Sequence, residues 1–339
     1  MYVITMAVAM PACKNNESLL AEFRTEIPII DTKFNIVNPE QLGMIEGIHA
    51  NDSLLITLDF HDAKSYSLFN SQSGEMLMRF GEIGHGNNEI PIGCDGIIYN
   101  GDFVVFDDEQ KIVAKYDIIV DSISVGCDII KYKIDDTQLS KIAIVNDSLY
   151  LGLGTYKDKY QYVLFDMNGR IFDYDVEIYN SSNKEFNTYH KFLSNQGKIA
   201  KHPTRNLFVG TINLSSNIDF LSVENNKIIT IKSIRFKDPL YKIYSKGRMN
   251  RVLPTEHTIN GFIDICATGN YVFALYSEEN LKKQPYCADI ILVFDWNGNP
   301  VGKVHLPNNA YYIAATSTKL IAVEKDEKGV YGVNAYSLN

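Results

Sequence analysis

The chain has 339 residues, 45% of them apolar and 22% charged. That balance fills a core and excludes disorder over most of the length. Against 32 basic side chains stand 41 acidic ones, a net charge of −9 that repels phosphate backbones and argues against nucleic-acid partners. Aromatics reach 12%, almost all Tyr and Phe, which favours strands.

Residues 1–12, MYVITMAVAMPA, form an apolar run of signal-peptide length. The run is too short for a bilayer span, which takes roughly 20 apolar residues. Ala12 is the small residue wanted before a cleavage site, and Cys13 follows it directly. The stretch resembles a bacterial lipoprotein lipobox, in which the Cys becomes the new N-terminus and carries lipid. Met10 stands where Leu is usual and no basic residue precedes the run, as a start placed too late would leave it. The expectation is a lipoprotein signal peptide over 1–12, lipid attachment at Cys13 and a polar tether over 13–25. Two acyl chains would anchor the protein stably without a transmembrane helix. The alternative is an ordinary buried N-terminal strand.

From residue 26 onward one pattern recurs: a polar turn, then a nearly continuous apolar run. It is seen at Asn51-Asp52-Ser53 before Leu54, at Gly101-Asp102 before Phe103 and at Asn146-Asp147-Ser148 before Leu149. It returns before Leu207, Tyr271 and Leu320. The six anchors are spaced by 49, 46, 58, 64 and 49 residues, the period of a propeller blade. A second apolar strand follows each copy and ends in a tight polar turn, as in Leu164-Phe165-Asp166 before Asn168-Gly169 and Val293-Phe294-Asp295 before Asn297-Gly298. Asn-Gly predicts a type I′ hairpin turn with two positive φ angles. Leu221-Ser222-Val223 before Asn225-Asn226 is a degraded copy.

Interior runs such as 54–58 and 290–294 are apolar on both faces, whereas a half-buried strand alternates. Strands apolar on both sides need cover on both sides, which blades stacked face to face around an axis provide. Arg79, Arg170 and Lys303 fall on outer strands, as a solvated edge expects. The fold class predicted is all-β: one six-bladed β-propeller over 26–339, with about four antiparallel strands per blade. The last repeat is one strand short. Glu26-Ile27-Pro28-Ile29-Ile30 is expected to close the ring by supplying it, with Pro28 tolerated on an edge.

With Cys13 set aside, Cys94, Cys127, Cys266 and Cys287 remain, none in a C-x-x-C pair. Cys266 falls on a first strand and Cys287 near a third, about twice 4.8 Å apart, too far for a bridge. Free thiols are expected.

The stretches Gly261-Phe262-Ile263-Asp264-Ile265, Tyr271 to Ser277, Ile291 to Pro300, Lys303-Val304-His305-Leu306 and Gly197 to Pro203 resemble the TolB-like six-bladed propeller lipoproteins of Bacteroidetes-type bacteria. Gly84-His85-Gly86-Asn87-Asn88-Glu89-Ile90 is similar to a Gly-Pro-Gly-Glu-Phe-like string of that family, departing at Asn87, Asn88 and Ile90. The resemblance covers most of 40–339 and implies shape and an envelope address, with no established chemistry.

No nucleophile-elbow, zincin, P-loop or EF-hand string occurs. Asp107-Asp108-Glu109 reads as a solvated hairpin loop. Of seven scattered His, His85, His190 and His257 fall in connections between blades. Two such connections are long, and long loops in compact domains tend to be functional. Residues 172–196 carry Tyr189 and His190; residues 237–261 carry Tyr244, Lys246, Arg248, Arg251 and His257. A basic, Tyr-rich segment on an acidic chain suits an anionic or sugar-like partner, with Tyr stacking and Arg pairing. These eight residues (His85, Tyr189, His190, Tyr244, Lys246, Arg248, Arg251, His257) are the candidate ligand contacts. The leading expectation is a non-enzymatic, monomeric binding protein lipid-anchored at the cell envelope, engaging a glycan, peptide or envelope protein on the loop face. No cofactor, metal or catalytic residue is assigned, and membrane contact is expected only through the N-terminal lipid. A hydrolase or lyase with a metal at the channel mouth is the second expectation. It requires three His, Asp or Glu side chains to converge.

Overall fold

A computed structural model of the chain describes residues 18–32, 42–84, 86, 89–90, 93–107, 110–119, 124–131, 137–246, 249–325 and 331–338. The architecture is nearly all strand. After β1 (Ile29–Asp31), four antiparallel meanders of four strands follow in chain order. The first is β2 (Gly47–Ala50), β3 (Leu54–His61), β4 (Lys64–Asn70) and β5 (Met76–Glu82). The second is β6 (Gly96–Tyr99), β7 (Asp102–Asp107), β8 (Ile112–Ile119) and β9 (Ser124–Lys131). The third is β10 (Thr137–Asn146), β11 (Leu149–Tyr156), β12 (Tyr160–Asp166) and β13 (Ile171–Glu177). A short helix, α1 (Thr188–Ser194), leads to the fourth: β14 (Gly197–Lys201), β15 (Leu207–Ile212), β16 (Asn217–Glu224) and β17 (Lys227–Arg235). A separate hairpin, β18 (Tyr241–Lys246) and β19 (Met249–Pro254), precedes the fifth.

The fifth and sixth blades share one seven-stranded sheet: β20 (Ile259–Ala267), β21 (Tyr271–Asn280), β22 (Ala288–Asp295), β23 (Pro300–Ala315), β24 (Lys319–Lys325) and β25 (Tyr331–Leu338), ending on β1. The long β23 serves both blades, pairing with β22 through its first half and with β24 through its second. The missing outer strand of the sixth blade is β1, with Ile29 opposite Leu338 and Asp31 opposite Tyr336. The expected closing segment is therefore in place, and Ile27 N–H adds a bond to the Lys303 carbonyl at 2.8 Å.

The ring is held by packing between blades. Six apolar clusters occupy the six interfaces among the described residues. Leu54 and Phe103 belong to the cluster between blades one and two, and Val113 and Val163 to that between two and three. Leu164 and Phe208 join three to four, Phe220 and Phe294 four to five, and Leu275 and Ile313 five to six. Phe69 and Ile321 close six onto one. Second strands are buried over most of their length, and every residue of β11 is buried. This is why those runs are apolar on both faces.

Three local readings change. Leu19 and Phe23, inside the expected polar tether, are buried in the cluster of the fourth and fifth blades; Phe23 meets Phe294 edge-to-face at 4.9 Å. The turns at Asn168-Gly169 and Asn297-Gly298 carry positive φ only at the glycine, so neither is type I′. Asp166 and Asp295 instead accept main-chain N–H groups across longer loops, which satisfies the turn locally. Two positive φ angles in sequence occur instead at Asp62-Ala63, Asn100-Gly101, Lys157-Asp158 and Asn225-Asn226. Arg79 is not a solvated edge residue: it turns inward beside the fully buried Asp59, 3.5 Å away. Cys94, Cys266 and Cys287 are free thiols.

Candidate functional site

The channel is crossed by a charged waist to which every blade contributes one side chain. His49 (first blade) lies 2.8 Å from Asp95 (second). Asp95 accepts from Lys141 (third) at 2.7 Å and from Lys198 (fourth) at 3.3 Å. Lys198 lies 3.5 Å from Asp264 (fifth) and 5.6 Å above the ring of Tyr312 (sixth). Asp264 also accepts the Ile313 N–H at 2.9 Å, tying the fifth blade to the sixth.

Inner strands place these groups with the help of bulges. The ladder slips by one residue at Ser140 in β10, at Ile263 in β20 and at Tyr311 in β23. Each extra residue immediately precedes a waist residue: Lys141, Asp264 and Tyr312. A bulge bends a strand and re-aims the side chains beside it. Here it turns three inner strands so that their polar residues meet on the axis.

The waist is electrically paired, two carboxylates with two ammonium groups. Burial would push the Asp95 carboxyl up, but Lys141, Lys198 and His49 outweigh it and hold it well below the usual carboxylate range. Burial likewise opposes charge on Lys198, yet Asp95 and Asp264 keep its pKa above the ordinary lysine value. At Asp264 burial wins over Lys198 and the Ile313 N–H, and its pKa is raised.

Above and below the waist lie two cups of about 400 Å³ each. Strands within a blade are antiparallel, so connections alternate between two faces. One cup opens on the face of the turns joining first to second strands; Ile48, Ile97, Ile199, Ile265 and Cys266 wall it. Burial pushes the Cys266 thiol well up, so it stays protonated. The other opens on the face of the blade-to-blade connections. Tyr286, Tyr311, Tyr312 and Asn213 line it above Asp95, Lys141 and Lys198, with Glu46 at the wall.

The loop face also carries α1 and the β18–β19 hairpin, which pack on each other. In the hairpin Tyr244 stands opposite Arg251, and Lys242 opposite Leu253. Cross-strand partners share a face, so Lys242, Tyr244, Lys246, Arg251 and Leu253 form one side, and all five are exposed. Lys242, Lys246 and Arg251 make no ion pair among the described residues. The opposite side, with Tyr241, Ile243 and Val252, is half-buried. Burial, with Tyr179 and Tyr286 nearby, pushes the Tyr241 hydroxyl up, and Tyr286 is itself one of the residues lining the loop-side cup.

Of the residues singled out from the sequence, Tyr244, Lys246 and Arg251 are brought together on this hairpin. Tyr189 is exposed on α1, while the next residue, His190, is buried with its ring 6.0 Å from Phe186. His257 is exposed beside Glu256 at 3.5 Å. Cys13, His85 and Arg248 lie outside the described residues. Among the described residues no three His, Cys, Asp or Glu side chains converge within reach of one metal ion.

The waist escaped the sequence reading, though a signal existed. Its six residues stand five to nine positions ahead of the six repeat anchors. Aligning the repeats on the turn and reading backward finds a polar or aromatic residue in each copy.

A family model described as TolB-like 6-blade propeller-like matches residues 47–318. No curated protein matches. Among solved structures the chain is similar to a Bacteroides fragilis protein provisionally described as exported: 14% identity, TM-score 0.56, covering 92% of this chain and 95% of that one. It is also similar to BamB from Moraxella catarrhalis (8% identity, TM-score 0.39, covering 88% and 84%). A luciferin-regenerating enzyme gives 10% identity and a TM-score of 0.49, covering 92% and 95%. The first likeness is one of fold; the other two are weaker.

Proposed function

Because the chain belongs to the TolB-like six-bladed propeller family, we propose that it is a non-enzymatic binding protein of the bacterial cell envelope. It engages a glycan, peptide or protein partner on its loop face and is held to the membrane by lipid on Cys13. The observation that carries this reading is the hairpin: an exposed Tyr244–Arg251 pair flanked by Lys242 and Lys246 on the loop face. Tyr and Arg are the side chains that most often dominate binding energy at interfaces. The apolar run ending in Ala12-Cys13 supports the address, and the exported description of the Bacteroides fragilis neighbour agrees with it.

The test is a glycan-array and peptide-library screen of the full chain, repeated with Tyr244→Ala/Arg251→Ala. A specific ligand is expected, with affinity reduced at least tenfold in the variant at unchanged melting temperature. A ligand indifferent to the variant would move the site elsewhere. Labelled palmitate incorporated by the wild type and lost in Cys13→Ala is the expected sign of the anchor.

A further inference from the structure

We propose that the loop-side cup takes one uncharged pyranose ring, a neutral monosaccharide or the end unit of a glycan. This rests on the binding reading above and names the ligand class for the cup that adjoins the hairpin.

Charge decides first. The ionisable groups lining this cup are Glu46, Asp95, Lys141 and Lys198, two of each sign. The two lysines already hold carboxylates, at 2.7 Å and at 3.3 and 3.5 Å. An anionic ligand would have to compete with Asp95 for Lys141 and Lys198, and a cationic one with the lysines for Asp95. Either exchange leaves a protein charge short of its partner in a partly buried site, which is costly. A neutral polyol disturbs nothing. Its hydroxyls donate to the free lone pairs of Asp95 and accept from the remaining N–H bonds of Lys141 and Lys198. Hydrogen bonds to charged groups are the stronger kind.

The walls decide next. Tyr286, Tyr311 and Tyr312 line the cup beside apolar Leu58, Leu214, Phe262 and Ile263 and the side-chain amides of Asn213 and Asn260. The negative face of an aromatic ring suits the C–H face of a sugar. Two consecutive tyrosines line the cup only because Tyr311 is the bulged residue of β23; in a regular strand they would point to opposite sides. Tyr286, 58% exposed at the rim, sits at φ +55°, a conformation uncommon for a bulky residue. It is held there by its N–H bond to Asn260 Oδ1 at 2.9 Å. Local strain of this kind concentrates at ligand clamps. The volume, about 400 Å³, sits in the range of small-molecule sites.

The opposite cup lacks this set. Its walls are mainly Ile and Ala with no Tyr, Phe or Trp, and Lys201 adds an unbalanced charge.

The experiment is titration calorimetry with saturation-transfer NMR on the full chain. The probes are glucose, galactose, mannose, N-acetylglucosamine and their β-linked disaccharides, with glucuronic acid and glucosamine as charged counterparts. At least one neutral ring is expected to bind, and its charged counterparts at least tenfold more weakly. Tyr286→Ala and Tyr312→Ala should each weaken binding about tenfold; Tyr312→Phe, which keeps the ring, should not. Lys201→Met, in the other cup, should leave affinity unchanged. Circular dichroism and melting temperature separate these effects from misfolding. Equal or tighter binding of the charged sugars overturns the class, and binding that survives both alanine variants overturns the site. If only peptides or proteins bind, through Tyr244 and Arg251, the sugar inference falls while the binding reading stands. If no probe of any class binds, both fall.

Discussion

Lys198 in the fourth blade reaches across the channel to Asp95 in the second at 3.3 Å, although 103 residues separate them in the chain. Asp95 carries Lys141 as well, so one carboxylate neutralises two inner strands. Replacing it by Asn removes that charge, leaves Lys141 without its carboxylate and leaves Lys198 with Asp264 alone, 3.5 Å away. Full burial would make such a loss cost about 3–5 kcal/mol. Channel water reaches these side chains, which are 18–28% exposed, so Asp95→Asn is expected to cost about 2 kcal/mol in urea unfolding. Adding Lys198→Met should cost less than the sum of the two single changes, because the groups interact directly. Strict additivity would show that the waist is not a coupled network.

The same residue sets an acid limit. The Asp95 carboxyl is held well below the usual 3.8 by Lys141, Lys198 and His49 against the effect of burial. A depressed acid pKa contributes stability that is fully present above the unfolded value and is lost as pH falls through the folded one. Asp264 has the opposite sign: its pKa is raised, chiefly by burial, so its ionised form subtracts stability above about pH 4. Urea midpoints measured from pH 6 down to 2.5 should therefore fall more shallowly in Asp95→Asn than in wild type. In Asp264→Asn they should fall more steeply. Parallel profiles in all three proteins would contradict the assignment.

Phe23 is a third lever, far from the channel. It is 1% exposed and stands edge-to-face on Phe294 at 4.9 Å, beside the equally buried Leu19. Truncating a buried Phe typically costs about 3–5 kcal/mol through lost transfer energy and the cavity left behind. Phe23→Ala is expected to cost about 3 kcal/mol in urea unfolding, although the residue precedes the first strand. A cost below about 1 kcal/mol would show that residues 18–23 do not stabilise the ring.

What was legible in the sequence follows from what repeats. The turn before Leu54, Phe103, Leu149, Leu207, Tyr271 and Leu320 recurs because every blade needs the same buried second strand, and burial on both faces leaves an apolar run. The closing strand was legible by counting, since the last repeat was one short. The basic hairpin stood out because charge and Tyr cluster within a few residues. The waist did not, because His49, Asp95, Lys141, Lys198, Asp264 and Tyr312 are spaced by 46, 46, 57, 66 and 48 residues and differ in type. Only the ring brings them together. Bulges at Ser140, Ile263 and Tyr311 leave no residue signature, since any side chain tolerates them. Phe23 was hidden by polar neighbours, and the turn at Asn297 by an Asp295 carboxylate that organises a longer loop.

His202 gives the prediction nearest neutral pH. The residue is buried between the fourth and fifth blades, its ring 5.0 Å from Trp296. Nδ1 accepts the N–H groups of Thr204 and Arg205, both at 3.1 Å, while Nε2 lies 3.0 Å from the Gly269 carbonyl and 2.8 Å from Arg205 Nε. This pattern needs the neutral ring. Burial, then the positive charges of Arg205 and Lys201, lower the pKa below the usual 6.5, only partly offset by Gly269. The sign follows from proton counting. Between the folded pKa and about 6.5 the unfolded chain binds the proton and the folded chain resists it, so stability drops as pH falls through that window. His202→Gln removes the titration and, with it, the two Nδ1 contacts. The variant is expected to be less stable at pH 7.5 by about 1–2 kcal/mol, with a gap to wild type that narrows toward pH 5. Denaturant midpoints at half-unit pH steps read this directly. A gap that stays constant, or widens with acid, would show that His202 binds its proton in the folded protein.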